Sequence, residues 1–364
     1  MALGSESPTS PVATIQQKLD ALGLEAVFIT KLLDIRWATG FTGSNALLVV
    51  TKTDAHFVTD KRYGAQARHQ VIGATVHVPG YALVKHVAEN GLLAGWTRVG
   101  YQADEMTAAA HAKLAEEHPD IAWQPVEGFL KHEVARKQAR EVSHIRAAQR
   151  ITEQVFEEVC ALIRPGMTER DVAAEIIYRH LKHGAERQAF EPIVASGPNS
   201  ALPHAHPSAR VLREGDLVVL DFGCIVNGYA SDMTRTVALG EVSAEARRVY
   251  EVVLEANKAA IDAAMPGMTS KALDAVARDH IDAAGYGEAF GHSLGHGVGL
   301  DVHEWPPVSF RSEDELPEDC VVTIEPGIYL EGRFGVRIED MIWLRADGAQ
   351  NLTSARKALR VIPV

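Results

Sequence analysis

Two periods of hydrophobic and polar residues alternate along the first third of this 364-residue chain. Short apolar runs of strand length occupy residues 26–30, 46–50 and 55–59. Stretches with the 3.6-residue period of an amphipathic helix occupy residues 12–22, 63–71 and 106–117. Strands that alternate with helices in this way predict an α/β domain.

A charged run, residues 131–141, contains few residues suited to a core and leads into a long predicted helix that ends near Leu162. A chain of this length is long enough to form two domains. We therefore predict an α/β domain over residues 1–130 and a second domain, of α+β character, over residues 131–364.

The second part of the chain contains an internal repeat. Pro165-Gly-Met-Thr168 recurs 101 residues later as Pro266-Gly-Met-Thr269, and each copy precedes an alanine-rich helical stretch. Thr168 with Asp171 resembles a capping box, which marks a helix start. Further matches follow in order, Asp221 with Glu325 and Asp232 with Glu339. The sequence thus predicts two copies of one unit, each with a pair of acidic residues.

The segment between Asp221 and Asp232 predicts a β-hairpin. Asn227-Gly228 is the strongest sequence signal for a two-residue hairpin turn. Both central positions of such a turn need positive φ, which Asn and Gly tolerate best. Counting outward from this turn places Asp221, Gly223 and Asp232 on one face, with the glycine leaving space unfilled between the carboxylates. A surface hairpin with two solvated aspartates is the simpler alternative. The continuous apolar run 217–220 favours a buried strand instead, and a buried carboxylate needs a partner.

Four converging carboxylates would repel one another, and no lysine run lies near them in the sequence. Two divalent cations would balance their charge. Paired cations also suit a hydrolase, because they activate water and polarise a carbonyl group. The sequence therefore predicts a dinuclear metal centre formed by Asp221, Asp232, Glu325 and Glu339.

Histidines lie close to this acidic set. His292 and His296 have the spacing of a zincin motif, but Ser293 replaces its glutamate and the surrounding glycines do not favour a helix. Regular strand alternation would send His296 and His303 to opposite faces, so a bulge is needed to bring them together. His204 is a fourth candidate. A purely structural role is the alternative for any one of these histidines.

Composition narrows the class of protein. The net charge of −12 argues against nucleic acid or an anionic membrane as the main partner. No segment has the length and hydropathy of a transmembrane helix. Residues 1–11 resemble a disordered leader or a remnant of cloning rather than a signal peptide. Three cysteines, an odd number, fit the reducing cytoplasm.

The acidic residues and His296 lie in motifs that resemble those of the pita-bread metallopeptidases, more narrowly the Xaa-Pro peptidases prolidase and aminopeptidase P. These motifs are Leu-Asp221-Phe-Gly, Ser-Asp232-Met-Thr-Arg-Thr, Gly-His296-Gly-Val-Gly-Leu, Ile-Glu325-Pro-Gly and Arg-Ile-Glu339-Asp. The segments around Arg36 and 57–63 resemble the creatinase-type N-terminal domain of that family. The resemblance implies a creatinase-like α/β domain followed by a pseudo-two-fold pita-bread catalytic domain.

This resemblance implies a role for each residue. Asp221 would serve one metal, Asp232 and Glu339 would bridge both, and His296 with Glu325 would complete the other. Glu325 would also accept a proton from the attacking water. Contacts with the substrate would come from His204, His292 and His303, while Arg337 would position the carboxylates or substrate. The oxygen-rich ligand set favours Mn²⁺, with Co²⁺ or Zn²⁺ as alternatives.

The implied reaction is hydrolysis of the bond between an N-terminal residue and proline, in Xaa-Pro dipeptides or longer peptides. A methionine aminopeptidase-like enzyme and a non-catalytic peptide-binding module are the alternatives. Some prolidases supply an arginine after the His303 motif, where this chain has Pro306-Pro307, so Arg36 is the candidate to bind a dipeptide carboxylate. The resemblance also implies a cytoplasmic homodimer.

Overall fold

The computed structural model describes residues 10–364, and the chain divides into two compact units, Met1–Val134 and Ala135–Val364. Most of the predicted leader, residues 1–11, lies outside the described residues. Its last two residues instead start the first helix, because the Ser10 side chain caps that helix and Pro11 is its first residue.

The first unit is built on one six-stranded sheet. Its strands are β1 (Ala26–Ile29), β2 (Ala46–Thr51), β3 (Ala55–Thr59), β4 (Thr75–His77), β5 (Arg98–Gln102) and β6 (Ala122–Val126). The strand order is β4-β3-β2-β1-β5-β6. Strand β2 pairs antiparallel with β1 and β3, whereas β3/β4, β1/β5 and β5/β6 are parallel pairs. The strands predicted at 26–30, 46–50 and 55–59 are confirmed.

Helices cover both faces of this sheet. They are α1 (Pro11–Ala21), α2 (Leu32–Thr39), α3 (Gly64–Gln70), α4 (Leu83–Glu89), α5 (Ala108–Glu117) and α6 (Lys131–Ala135), with a 3-10 turn at Lys61–Tyr63. Side chains of strand β2 point alternately to the two faces of the sheet. Leu48 and Val50 join one buried cluster with α1 and α2, while Leu47 and Val49 join another with α4 and α5. The helices on the two faces of the sheet confirm the predicted α/β character of this unit.

The second unit begins with a long helix and contains four main helices. They are α7 (Ala139–Leu162), α8 (Glu169–Lys182), α9 (Ala244–Ala263) and α10 (Ser270–Ala283), with 3-10 turns at Gly197–Ala201 and Gly287–Ala289. The predicted capping box at Thr168 and Asp171 is present at the start of α8. Thr269 caps α10 at the equivalent position, 101 residues later.

Fourteen short strands complete the second unit. Those of the first half are β7 (Arg187–Gln188), β8 (Ile193–Ser196), β9 (Leu217–Asp221), β10 (Cys224–Val226), β11 (Tyr229–Ala230) and β12 (Thr234–Leu239). Those that follow are β13 (Gly295–Gly297), β14 (Glu304–Val308), β15 (Val321–Ile324), β16 (Gly327–Leu330), β17 (Phe334–Arg337), β18 (Asp340–Arg345), β19 (Gly348–Asn351) and β20 (Arg360–Ile362).

The two halves of this unit repeat the same order of elements. Two helices are followed by an antiparallel set, β8-β9-β12 in the first half and β13-β15-β18 in the second. A short hairpin interrupts each set, β10/β11 in the first half and β16/β17 in the second. The repeat read from the sequence is therefore present in the fold.

All three cysteines are buried and free. Within residues 10–364, every helix is too short or too polar to cross a membrane.

Candidate metal centre

The predicted hairpin has the predicted register. Asn227 and Gly228 adopt φ values of 50° and 82°, as a two-residue turn of this kind requires. Val226 pairs with Tyr229, and the same register places Asp221 opposite Thr234 where β9 meets β12. All five residues of β9 are buried, which confirms the core strand predicted from the apolar run.

Gly223 serves a different purpose from the one predicted. It does not leave a gap between the two aspartates, because a Cβ added at this position would lie 1.8 Å from the Ser231 carbonyl oxygen. The glycine instead lets the two arms of the hairpin approach closely where β9 passes into β10. The open space lies beside the carboxylates, in the cavity described below.

The second half supplies its acidic residues from corresponding positions. Glu325 directly follows β15, and Glu339 directly precedes β18. The Glu339 amide donates a hydrogen bond to the Thr234 carbonyl, so the two halves meet at this point. Thr234 Oγ1 also donates to Glu339 Oε2 over 2.6 Å.

The glycine-rich segment brings His296 and His303 together. Residues 290–297 are not helical, which confirms that the segment is not a zincin helix. The register of β13 against β14 shifts, since Gly295 pairs with Val308 and Gly297 with Glu304. The predicted bulge is thus present, and the ring centroids of His296 and His303 lie 4.4 Å apart.

One cavity of about 380 Å³ collects these side chains. Its polar lining contains the five predicted metal ligands and the other four predicted catalytic residues: Asp221, Asp232, His296, Glu325, Glu339, His204, His292, His303 and Arg337. Apolar side chains, Phe190, Ile193, Pro203 and Pro307, line the rest. His204 is exposed, whereas the carboxylates are largely buried.

Three of the predicted ligands already lie at metal-binding separation. One side-chain ligand atom each from Asp232, His296 and Glu339 lies within 4.8 Å of the others. His296 Nε2 lies 3.3 Å from Glu325 Oε1 and 3.7 Å from Asp232 Oδ2. Its Nδ1 lies 3.1 Å from the Gly297 carbonyl, which can only accept, so Nδ1 carries a proton, and Nε2 faces the carboxylates, where it would become a ligand on losing its own proton.

The aspartates keep unused acceptors. Asp221 Oδ1 and Asp232 Oδ1 are buried and have no hydrogen-bond partner among residues 10–364. Burial, followed by repulsion from Asp221, raises the pKa of Asp232 well above its ordinary value. Burial, followed by repulsion from Asp232, does the same to the pKa of Glu339. Divalent cations bound here would give the buried oxygens a partner and would reduce the repulsion between the carboxylates. These residues therefore fit a metal centre.

Glu325 differs from the other carboxylates. Burial opposes its charge, but the hydrogen bond and charge of His296 outweigh burial and lower the pKa of Glu325 to about 2. The same contact raises the pKa of His296 to about 9, against the effect of burial. Glu325 is therefore ionised throughout the neutral range.

Arg337 connects the centre to the histidines. Its Nη2 donates to Asp221 Oδ2, its Nε to Thr234 Oγ1, and its Nη1 to the Tyr329 hydroxyl over 2.7 Å. The Tyr329 hydroxyl lies 2.9 Å from His292 Nε2, and His292 Nδ1 lies 2.7 Å from the Ser293 carbonyl. Because that carbonyl must accept from Nδ1, Nε2 accepts from Tyr329. Arg337, Tyr329 and His292 thus form a directed chain of hydrogen bonds.

Sequence reasoning missed three residues of this network. Thr234 orients Glu339, Thr323 Oγ1 contacts Glu325 Oε1 at 3.2 Å, and Tyr329 links Arg337 to His292. Tyr329 could have been found, because Gly327 pairs with Arg337 in the β16/β17 hairpin. Two residues further along β16, Tyr329 is then a diagonal neighbour of Arg337 on the same face. Arg36, the candidate for substrate binding, lies half-buried in α2 of the first unit.

Residues 143–346 match the sequence model of metallopeptidase family M24, and residues 11–134 match that of the creatinase/prolidase N-terminal domain. The chain belongs to metallopeptidase family M24. The predicted family and fold class are confirmed. The uncharacterized peptidase YqhT of Bacillus subtilis is 39% identical to this M24 chain, over 94% of the chain and 97% of YqhT.

Solved structures with similar folds include two peptidases. A Xaa-Pro dipeptidase from Bacillus anthracis is 36% identical, with a TM-score of 0.94 over 96% of this M24 chain and 99% of its own. The X-Pro aminopeptidase from Thermotoga maritima is also 36% identical, with a TM-score of 0.88 over 95% of this chain and 100% of its own.

Proposed function

We propose that this M24 chain hydrolyses the peptide bond between an N-terminal residue and proline, on dipeptides, longer peptides or both. The observation that carries the proposal is the convergence of five carboxylate and imidazole ligands with three further histidines in one cavity. The names of its relatives include both dipeptidases and aminopeptidases acting on Xaa-Pro bonds.

The proposed ligands divide between two divalent ions. Asp221 would serve one ion, Asp232 and Glu339 would be shared by both, and His296 with Glu325 would complete the other. When bound, the ions supply water activation at neutral pH and polarisation of the substrate carbonyl. Because four of five ligands are carboxylates, Mn²⁺ is the proposed native metal, with Co²⁺ or Zn²⁺ as alternatives.

The remaining residues of the cavity bind and orient the substrate. Glu325, ionised at neutral pH, accepts a proton from the attacking water. His292, held by Tyr329, and His303, beside His296, contact the peptide during the reaction, and His204 contacts it from the exposed edge. The apolar wall of Phe190, Ile193, Pro203 and Pro307 suits the pyrrolidine ring of proline.

Chelation tests metal dependence. Protein stripped of metal should lose hydrolysis of Ala-Pro and Ala-Pro-Ala, and added Mn²⁺ should restore it. Met-Ala-Ala, a tripeptide without proline, tests the methionine aminopeptidase alternative. Full activity of the stripped protein, or faster cleavage of Met-Ala-Ala than of both proline peptides, would contradict the proposal.

Metal content tests the division of ligands. Loaded with Mn²⁺ alone, the wild-type protein should hold two ions per chain, and Asp221→Asn should reduce this to about one. Glu339→Gln removes a proposed bridging ligand and should weaken both ions. The matched control is Glu331→Gln, an exposed residue in the β16/β17 hairpin, which should keep both ions. Equal loss in Asp221→Asn and Glu339→Gln would contradict the assignment.

Arg36 is the proposed residue for a dipeptide's terminal carboxylate. Arg36→Ala should raise the KM for Ala-Pro more than the KM for Ala-Pro-Ala, because only the dipeptide places its carboxylate next to proline. Arg68→Ala, an exposed arginine on α3, is the control. Equal changes in the two KM values would reject this role.

A cytoplasmic homodimer completes the proposal. Its support is the family resemblance together with three free, buried cysteines, which fit a reducing compartment. Light scattering on the purified protein should give twice the chain mass of 39.5 kDa. A mass of one chain at assay concentration would reject the dimer.

A further inference from the structure

Three histidines converge in the first unit, which contains none of the proposed metal ligands. They are His56 on β3, His77 on β4 and His86 on α4. The register explains their meeting, because His56 pairs with Thr75 and Val58 with His77, so both histidines lie on the sheet face that carries Val58. Helix α4 packs on that face through Leu83 and Val87, and His86 lies one turn beyond Leu83.

The imidazole rings contact one another in a row. Ring centroids lie 5.3 Å apart for His56 and His77, and 5.5 Å apart for His77 and His86. His77 Nε2 lies 3.3 Å from His56 Nδ1. Two nitrogens bound to one tetrahedral zinc ion at about 2.0–2.1 Å lie roughly 3.3–3.4 Å apart, so this pair already has the separation of two ligands.

A hydrogen bond between two neutral rings would give a similar distance, and the third histidine distinguishes the two cases. His86 Nε2 is buried and has no hydrogen-bond partner among residues 10–364. Leaving such an atom unsatisfied is destabilising. A simple pair of hydrogen-bonded rings leaves this nitrogen unexplained, whereas a metal ion would use it.

The charges around the row favour neutral imidazole ligands. No carboxylate within residues 10–364 forms an ion pair with any of the three histidines. Burial, and then the facing His56 and His86 rings, lower the pKa of His77, so its ring is neutral at neutral pH. Neutral imidazoles suit zinc, copper and nickel, whereas magnesium, calcium and manganese prefer oxygen.

We propose that His56, His77 and His86 form a second metal site, which binds a borderline transition ion such as Zn²⁺ through imidazole nitrogens. The His86 ring turns toward the other two to complete it, with water as a fourth ligand. Asn90 Nδ2 lies 3.0 Å from both the His86 carbonyl oxygen and His86 Nδ1, so it donates to both, and binding of an ion at Nε2 would require Asn90 to move away and Nδ1 to take up the ring proton. With the proton on Nδ1, Nε2 would be the ligand atom for the ion.

The site would join the edge of the sheet to the helix that covers it. Strand β4 is the outermost strand and has only three residues, and His77 is its last. An ion held by His77 and His86 connects this strand to α4. The site therefore has a structural role, and it requires a different kind of metal from the oxygen-rich centre of the second unit.

Zinc titration tests the site once the carboxylate centre is disabled. In the double variant Asp232→Asn/Glu339→Gln, calorimetry should still detect one Zn²⁺ per chain. Adding His77→Phe, which keeps a ring of similar size, should weaken this binding at least tenfold. The matched control adds His69→Gln, an exposed histidine on α3, and should leave the binding unchanged. Circular dichroism checks that each variant is folded.

A spectroscopic measurement identifies the ligands directly. Cu²⁺ bound to the Asp232→Asn/Glu339→Gln protein should show hyperfine coupling to several imidazole nitrogens, and His77→Phe should remove it. If His77→Phe fails to fold, His86→Gln provides the same test from α4. Two results would overturn the proposal: no zinc bound by the double variant, or zinc binding unchanged by substitution of His77 or His86.

Discussion

Arg337 Nη2 donates a 2.5 Å hydrogen bond to Asp221 Oδ2, and this contact joins the second half of the catalytic unit to the first. Both side chains are buried, with 4% and 11% of their side-chain surface exposed. Its Nε donates to Thr234 and its Nη1 to Pro203 and Tyr329, so each guanidinium nitrogen of Arg337 has an acceptor. The metal centre and its supporting contacts therefore depend on one arginine.

Substituting Arg337→Met should lower the free energy of unfolding by about 3–5 kcal/mol, measured in chelator, because it removes the partner of the buried Asp221 carboxyl group. The control is Arg333→Met, on the same hairpin, whose ion pair with Glu245 is exposed. That change should cost less than about 1 kcal/mol. Equal losses for the two variants would contradict the importance of the buried pair.

Substituting Tyr329→Phe should lower kcat/KM about three- to tenfold, because it removes the hydroxyl between Arg337 and His292 and a hydrogen bond contributes about 1 kcal/mol. Tyr250→Phe is chemically the same change away from the cavity, where the hydroxyl donates to the Lys357 carbonyl. Steady-state kinetics should find wild-type activity in Tyr250→Phe. A parallel loss in both variants would show that the Tyr329 effect is not specific to the site.

Substituting Gly223→Ala should reduce both metal content and activity, because a Cβ there would meet the Ser231 carbonyl and force the hairpin arms apart. Overpacking of this kind costs about 1–3 kcal/mol. At Gly80 an added Cβ meets no atom within 4 Å, so Gly80→Ala is the control. Elemental analysis and kinetics should find lower metal content and activity in Gly223→Ala than in Gly80→Ala. Normal metal content in Gly223→Ala would argue against a close approach of the two hairpin arms.

Stability of the first unit should depend on Asp34. Burial raises the pKa of Asp34 from 3.8 to about 6, although Gln102 Nε2 donates to its Oδ2. The folded state therefore holds the proton more tightly than the unfolded state, so this contribution to stability is complete below about pH 4 and is lost as the pH rises to about 6.

Substituting Asp34→Asn should abolish this slope and raise the free energy of unfolding above pH 6 by up to about 3 kcal/mol, at 1.36 kcal/mol per pKa unit. The amide oxygen of asparagine still accepts from Gln102. Urea unfolding between pH 4 and 8 measures the effect, with the exposed Asp120→Asn as control. An unchanged pH dependence in Asp34→Asn would contradict the prediction.

Local patterns in the sequence predicted the parts of the fold that depend on neighbouring residues. The turn at Asn227-Gly228 sets the register, and this alone places Asp221 opposite Thr234. The capping box at Thr168 depends on four consecutive residues. The repeat was also detectable, because both copies keep the same motifs in the same order.

Contacts between distant segments were not predictable in the same way. Thr234 contacts Glu339 from 105 residues away, and no local pattern indicates that pairing. His56, His77 and His86 come from a strand, an edge strand and a helix, so their spacing resembles no metal motif. The need for glycine at position 223 likewise depends on the position of the Ser231 carbonyl oxygen in the opposite arm of the hairpin. Such features depend on how elements pack, which periodicity does not encode.

The repeated halves of the catalytic unit are alike in their strands but not in their chemistry. Strand β13 carries His296, whereas its counterpart β8 has the sequence Ile-Val-Ala-Ser and no histidine. Two identical copies paired as separate chains would have to present the imidazole twice or not at all. Joining both copies in one chain permits a one-sided centre, in which only one ion receives nitrogen. On the proposed ligand set, the two ions should therefore differ in affinity and enter in sequence.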